Sequence, residues 1–387
     1  MTEELVALAE RLISYETSEA EAVLEAAGFV KGWLEARGIE ASHEEVRGLP
    51  VLKAEVGAAE GPTVVLHGHL DVVPGRPGQF DPRIEGDRLF GRGAYDMKGA
   101  LAAMLVTTAA MSDQDRVRVR LGIVGDEESE EEAERGSDRL VDGGFIGDFA
   151  ITGEPTDLQI GVEAKGVLAL RLEVAGVAAH GATPWLGDNA ALRAVEVFRS
   201  IESLPFARHS SELFDRPSIN LGRILGGDAL NKVPDRCAID VDIRYLPDQD
   251  PATILDQVRG LPDAEVTQLF TRPPAVVDRD LPYVRALRDA ASAHHRGGEP
   301  RERGAGKRPS MSRRAASEAL GVGMSVGRDG ASDAVSFLRV GVPAVEFGPV
   351  GDGHHGPGEW VSVSSLLTYR QTLESFLRAL PERLAND

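Results

Sequence analysis

The residues best equipped for chemistry are His67, His69 and Asp71, which close the apolar run Val64-Val65-Leu66. The turn pair Gly61-Pro62 precedes that run, so it reads as a short buried strand of a parallel sheet. Ligands collect just beyond the carboxyl ends of such strands. On an extended chain the three side chains share one face. Neutral imidazole is a common metal ligand, and a nearby carboxylate fixes its tautomer. The alternative is a histidine that simply satisfies a strand end.

Carboxylates and imidazoles recur at equivalent places. Asp96 precedes a small-residue helix predicted over 98–111, and Glu127 and Glu128 follow a strand predicted over 116–124. Glu154 follows a strand over 149–152, and His354 and His355 follow one over 343–347. Such a rim repels itself unless cations neutralise it. Two histidines and three carboxylates suit two zinc-like ions about 3.5–4 Å apart, with one carboxylate bridging. One further carboxylate must take a proton from the activated water. Glu127 and Glu128 face opposite ways on an extended chain and could divide these tasks. The single cysteine, Cys237, excludes a cysteine zinc cluster and an internal disulfide framework.

The elements that must position these groups alternate strand and helix as far as 164. Helices are predicted over 3–14 and 19–37, the second with Ser18 and Glu21 as a capping box and Gly38 as its stop. A strand covers 51–56, and the Gly- and Pro-rich stretch 76–90 reads as loop. From 165 the texture changes. Alternating segments at 167–174, 218–225, 237–245 and 265–269, with helices at 188–203 and 251–259, predict a separate antiparallel sheet carrying two helices on one face. The earlier pattern then resumes, with helices over 281–293, 331–339 and 363–380. The expected fold is α/β: a doubly wound domain from 1–164 and 274–387, interrupted by an α+β domain at 165–273. A chain of 387 residues is long enough for two cores.

Composition narrows the partners. Sixty-two acidic residues against 42 basic give a net charge of −20, which argues against nucleic acid or an anionic membrane as the main partner. Six of the basic residues are lysine, and an acidic, lysine-poor chain suggests a halophilic cytoplasm where charge repulsion is screened. There is no run of eighteen apolar residues, and Thr2-Glu3-Glu4 opens an amphipathic helix rather than a secretory signal. A cytoplasmic location is expected. The segment 296–314 reverses the local sign, with seven basic residues against Glu299 and Glu302. It reads either as an anion-gripping loop or as a poorly ordered insertion.

Five motifs in order resemble the metal-site motifs of the M20 metallopeptidase family. They are His69-Leu-Asp71, Gly91-Arg-Gly-Ala-Tyr-Asp96-Met-Lys-Gly99, Asp126-Glu127-Glu128, Gly153-Glu154-Pro155 and His355-Gly-Pro-Gly-Glu359. That family includes succinyl-diaminopimelate desuccinylase, acetylornithine deacetylase, aminoacylase and glutamate carboxypeptidases. The resemblance implies a zinc-exopeptidase-like catalytic domain with an inserted lid that dimerises. It implies His69, Asp96 and Glu154 on one ion and Asp96, Glu128 and His355 on the other. Glu127 matches the general base and Asp71 the group orienting His69. His67 and His354 match no motif. In the lid, His180 resembles a histidine that reaches the partner subunit's site and steadies the oxyanion, and Asn231 and Arg244 resemble substrate-holding residues. Arg244 could instead pair with Asp240 or Asp242.

The implied activity is hydrolysis of the amide of an N-acyl amino acid by metal-activated water, with Glu127 as general base. Desuccinylation and deacetylation of diamino acids are the leading candidates; a glutamate-type carboxypeptidase acting on a dipeptide and a non-catalytic dimeric relative are the alternatives. Zinc is the expected metal, though cobalt or manganese would accept the same donors. Two stretches depart from the desuccinylase pattern. Glu163-Ala-Lys165-Gly166-Val167 stands where Gly-Arg-Arg-Gly-Ser is usual, and Gly330-Ala-Ser-Asp333 where Gly-Thr-Ser-Asp is usual.

Overall fold

The run that ends in the two histidines becomes the strand Thr63–His69, with every residue after Thr63 buried. In the computed structural model, which describes residues 2–129, 135–294, 322–330 and 332–386, this strand lies inside a mixed sheet. It runs parallel to Arg118–Val124 on one side and to Phe149–Thr152 on the other. Ala344–Glu346 continues the parallel set beside Phe149–Thr152. Both flanks are antiparallel. Leu49–Gly57 and then Ala41–Val46 extend one side, and Ile160–Ala164 extends the other. Ile160–Ala164 pairs in turn with Ala275–Val276 antiparallel and with Ser325–Arg328 parallel. The fold is α/β, as the strand–helix alternation suggested. The doubly wound order holds only for the four parallel strands at the centre.

The parallel strands read as near-continuous apolar runs because both of their faces are covered. The helix Gly99–Ala110 is buried from Gly99 through Thr108 and packs against Thr2–Ile13 and Val363–Asn386. Leu5, Leu12, Leu66, Leu101, Leu105, Ile151, Phe347 and Phe376 meet in this core, each at 0% exposure. Fully burying one such side chain is worth about 1.5–3 kcal/mol.

Two local expectations need correction. The helix Ala20–Glu35 begins after Glu19, which makes no side-chain cap, so the Ser18–Glu21 capping box does not form. Its stop is as read: Gly38 takes φ +73°, a left-handed backbone that glycine adopts without a Cβ clash. The stretch 76–90 is not all loop. Arg83–Glu85 and Arg88–Phe90 form a hairpin and join Gly351–Asp352 and Trp360–Ser362 in a small second sheet. Strands this short, with Leu89 the one buried residue in the hairpin, carry too little periodicity to read. The consequence is functional, since Trp360 pairs with Phe90. That brings the His355–Glu359 loop beside the turn leading to Asp96.

The third sheet is antiparallel throughout, in the order Ser218–Gly226, Arg236–Tyr245, Gly166–Ala175, Glu265–Arg272. The helices Ala190–Ile201 and Pro251–Arg259 bury Ala194, Val197, Ile201, Ile254 and Val258 against Leu168, Leu170, Leu172, Ile239 and Val241. Asn189 and Asp250 cap their first turns through the side chain. Among the described residues no helix is long and apolar enough to cross a membrane. The basic segment 296–314 lies outside the described residues.

Candidate metal centre

Three neighbouring parallel strands end side by side and supply His69, Glu128 and Glu154, while Asp96 comes from the turn before Gly99–Ala110 and His354 and His355 from the loop between Gly351–Asp352 and Trp360–Ser362. His69 is in register with Val124, and Leu70 N donates to Val124 O at 2.9 Å. The Asp126-Glu127-Glu128 loop therefore starts next to His69. Gly153 N donates to His67 O at 3.0 Å, which sets Glu154 on the other side. Met97 fills the floor between these ends. A Cβ on Gly68 would lie 2.7 Å from Met97 Cε, and one on Gly153 2.4 Å from it, so both glycines are needed for the strands to close on this side chain.

Asp96 is at the centre. Its Oδ1 lies 3.2 Å from His69 Nε2, and Glu154 Oε1 is 3.9 Å from the same nitrogen. Its Oδ2 is 3.5 Å from His355 Nε2 and also in contact with His354 Nε2. Glu128 Oε1 is 3.0 Å from His355 Nε2. Ligand atoms of His69, Asp96 and Glu154 all fall within 4.8 Å of one another, as do those of Asp96, His354 and His355. His355 takes a left-handed φ of 56°, and its ring and that of His354, centroids 4.2 Å apart, both reach Asp96.

The donor set fits a cation. His69 Nδ1 lies 2.9 Å from the backbone carbonyl of Asp71, so that nitrogen carries the hydrogen. The other nitrogen of the neutral ring then presents a lone pair to Asp96 Oδ1, which is also an acceptor. Two buried lone pairs facing each other require a proton or a metal ion between them. Electrostatics agree. Burial, then the charges of Asp96 and Glu127, push the Glu154 carboxyl well above its usual range. Bonds to Asp96 and Glu128 lift His355 to about 10. Burial opposes charge on His69, but Asp71 and Asp96 override it and raise the ring well above the usual histidine value. Protons on the imidazoles offset a charge that a divalent cation would neutralise.

Buried partners hold the cluster in place. Glu359 accepts from Tyr95 N at 3.0 Å and Asp96 N at 3.1 Å through Oε1. Its Oε2 accepts from Arg92 at 2.6 Å, and the same guanidinium reaches His355 O at 3.1 Å. One ion pair, with side chains 4% and 1% exposed, thus fixes the backbone on both sides of the site. Asp71 Oδ2 accepts from Glu128 N at 2.7 Å, while Oδ1 lies 3.5 Å from His69 Nδ1. Arg135 donates to the carbonyls of Glu127 and Ser129 at 2.9 and 3.1 Å. Neither Glu127 nor Glu128 belongs to either ligand group, the second of which holds His354 beside Asp96 and His355. Burial, then the charges of Asp333, Glu128 and Asp96, raise Glu127 to about 8 against the pull of His69.

His69, Asp96, Glu128, Glu154 and His355 thus come together, and Asp71 joins them through its bond to Glu128 N. His180, Asn231 and Arg244 are not part of this cluster. His180 is exposed, and its Nδ1 accepts from Ala182 N at 3.0 Å. Asn231 is exposed, with its carbonyl accepting from Gly181 N at 2.7 Å. Arg244 Nε donates to both oxygens of Asp242 at 3.0 Å. His67 is buried at 1% exposure, 3.1 Å from Ser137 Oγ and edge-on to Phe337, and burial pushes it down to about 4. It satisfies a strand end, as its lack of a motif match suggested. His354 also matched no motif, yet it touches Asp96. Its adjacency to His355 was the one available signal. Glu359 and Arg92 were both within reach of sequence reading as members of quoted motifs, but Arg135 was not.

The family model described as Peptidase family M20/M25/M40 matches residues 65–313. A succinyl-diaminopimelate desuccinylase of Gluconacetobacter diazotrophicus is 28% identical over 360 residues, covering 86% of this chain and 84% of that protein. Among solved structures, a tripeptidase from Staphylococcus aureus superposes with a TM-score of 0.76 at 19% identity, over 99% of both chains. An M20 family metallo-carboxypeptidase from Sulfolobus solfataricus gives 0.76 at 19% identity, over 98% of this chain and 99% of that one.

Proposed function

Since the chain belongs to peptidase family M20/M25/M40 and is thereby a metal-dependent hydrolase of amide bonds, we propose that it deacylates an N-acyl amino acid, with an N-succinyl diamino acid as the first candidate. The observation that carries this reading is the convergence on Asp96 of His69 and Glu154 from one side and His355, with Glu128, from the other. His69, Asp96 and Glu154 would hold one zinc ion, and Asp96, Glu128 and His355 a second. Divalent ions there supply Lewis acidity and make water acidic enough to react near neutral pH.

The chain's own groups do the rest. Asp71 holds the tautomer of His69 that keeps Nε2 free for the metal. Arg135 fixes the loop of Glu127 through two backbone carbonyls. The Glu127 carboxylate takes a proton from the attacking water and delivers it to the nitrogen of the leaving amine. His180, Asn231 and Arg244 would serve substrate in the closed dimer, His180 from the partner subunit. On this reading the enzyme is a cytoplasmic homodimer joined through 165–273. The exposed Leu192, Ile224 and Leu225 on that part of the chain, 65%, 48% and 55% accessible, support such a contact. Succinate as the acyl group is supported by the likeness to the desuccinylase over most of both chains.

The test is turnover by the zinc-loaded enzyme of N-succinyl and N-acetyl diamino acids and of a glutamate-terminated dipeptide. Release of succinate at the highest kcat/KM is expected. Faster release of glutamate would transfer the assignment to a carboxypeptidase.

A further inference from the structure

Ser325–Arg328 runs parallel to Ile160–Ala164, and Arg328 stands at its carboxyl end. The partner of that arginine, Glu346, ends Ala344–Glu346 in register with Thr152, two residues before the ligand Glu154. Arg328 Nε donates to Glu346 Oε2 at 2.8 Å. Gly161 makes room for the pair, since a Cβ there would meet Arg328 Cγ and Glu346 Cβ at 3.0 Å each. The carboxylate is buried at 4% exposure, whereas the arginine keeps 28%. Burial opposes the charge of this guanidinium, while Glu346, Tyr95 and, last, Glu154 favour it.

Among the described residues Arg328 donates through Nε alone. A guanidinium anchored by one nitrogen and open at the other two is shaped for a second carboxylate, which it can grip through two parallel bonds. The neighbouring cation cannot do this. Lys165 spends its three hydrogens on Arg216 O at 2.8 Å, Ser218 Oγ at 3.0 Å and Asp329 at 2.8 Å. Where the desuccinylase pattern has arginines near 164, this chain has a lysine already engaged, and a free fork on a different strand.

We propose that Arg328 is a specificity-determining residue that takes a carboxylate of the substrate through Nη1 and Nη2, with Glu346 holding its third nitrogen. This rests on the reading of the protein as an N-acyl amino acid hydrolase and adds the side chain that selects an acidic substrate. The experiment compares wild type, Arg328→Gln and Arg328→Lys on N-succinyl and N-acetyl forms of one amino acid, each as free acid and as amide. The expected result is a KM raised about 10–100-fold for compounds carrying one of the two carboxylates, with kcat and zinc content held and the compounds lacking it within about twofold. Arg328→Lys keeps a cation beside buried Glu346 but loses the fork. It decides the matter if the glutamine variant does not fold. Selectivity lost on the succinyl arm assigns the acyl end; loss on the free-acid arm assigns the amino acid end.

Succinate binding by calorimetry separates this proposal from the function it rests on. If wild type turns over none of these amides, yet succinate binding weakens at least tenfold in Arg328→Lys, the substrate reading fails and the Arg328 site stands. If wild type turns them over and neither KM nor succinate binding moves in either variant, the Arg328 proposal is overturned.

Discussion

The rim of the main sheet and the inserted antiparallel sheet offer candidate residues of opposite character. At the rim, the central side chains are held by buried partners. His69 is held by Asp71 and faces Asp96, and Asp96 is held in turn by the buried Glu359–Arg92 pair. In the 165–273 region, Arg244 stands on the strand Arg236–Tyr245 while His180 and Asn231 lie outside the strands, and among the described residues their hydrogen bonds run to Asp242, Ala182 and Gly181, none of them at the rim. A preorganised constellation holds its geometry before substrate arrives. A side chain outside such a constellation acquires its role only when something else comes to it. Substitutions in the two regions should therefore break different quantities: metal content and kcat at the rim, KM on the inserted sheet.

The largest effect is expected from Asp96→Ala, which removes the carboxylate common to both ligand groups. Zinc content measured by atomic absorption should fall to less than half of wild type, and kcat by at least about 10⁴-fold. Full zinc content in this variant would show that Asp96 is not shared. Chelation of wild type should abolish activity, and zinc should restore it. The thermal midpoint should fall when the metal leaves, because ligand binding to the folded state is itself stabilising. Glu127→Gln comes next. It keeps shape and loses the ability to take a proton, so kcat should drop about 10²–10⁴-fold with zinc content unchanged. A drop of zinc in proportion to kcat would make Glu127 a ligand and not the base.

The rim was legible because its geometry is dictated by few rules. Adjacent parallel strands end together, so polar residues following Leu66, Val124 and Ile151 must meet, and their order in the chain does not matter. The same logic left out what supports them. Arg92 and Glu359 are separated by a long stretch of sequence and are joined by a small sheet whose strands are two or three residues long. Nothing in the alternation of apolar residues marks such a sheet. Arg328 and Glu346 posed a related difficulty: a charged residue in sequence reads as surface, and burial beside an opposite charge is visible only once the strands are laid out. The Ser18–Glu21 box shows the reverse error: the types and spacing are right, but the helix is capped one residue later, at Glu19, so Ser18 stands outside the cap position and Glu21 inside the first turn.

The Glu359–Arg92 pair tests whether the rim depends on its supports. Glu359→Gln leaves the Arg92 guanidinium buried without a counter-charge and should cost about 3–5 kcal/mol of folding stability, read by denaturant unfolding. Because Glu359 also accepts from the backbone of Tyr95 and Asp96, zinc affinity should weaken by about 10–100-fold. Arg92→Lys keeps the charge but cannot reach both Glu359 and His355 O, so it should lose zinc affinity with a smaller loss of stability. Equal losses in both variants would reduce the pair to packing.

The smallest effects belong to the inserted sheet, and there the sign of the comparison is most open to refutation. Arg244 donates to Asp242 through one nitrogen, at 3.0 Å to each oxygen, and both side chains are about one-third exposed, 31% and 32%. An exposed pair of this kind contributes about 0–1 kcal/mol, so Arg244→Ala should leave the unfolding midpoint and zinc content at wild-type values. If the arginine serves substrate, KM should still rise about tenfold while kcat holds. Asp242→Ala then separates the roles, because it frees the guanidinium without removing it: a KM that stays level or falls keeps Arg244 on the substrate, whereas a KM that rises as far as in Arg244→Ala makes the ion pair, and not the arginine's reach, the thing that matters.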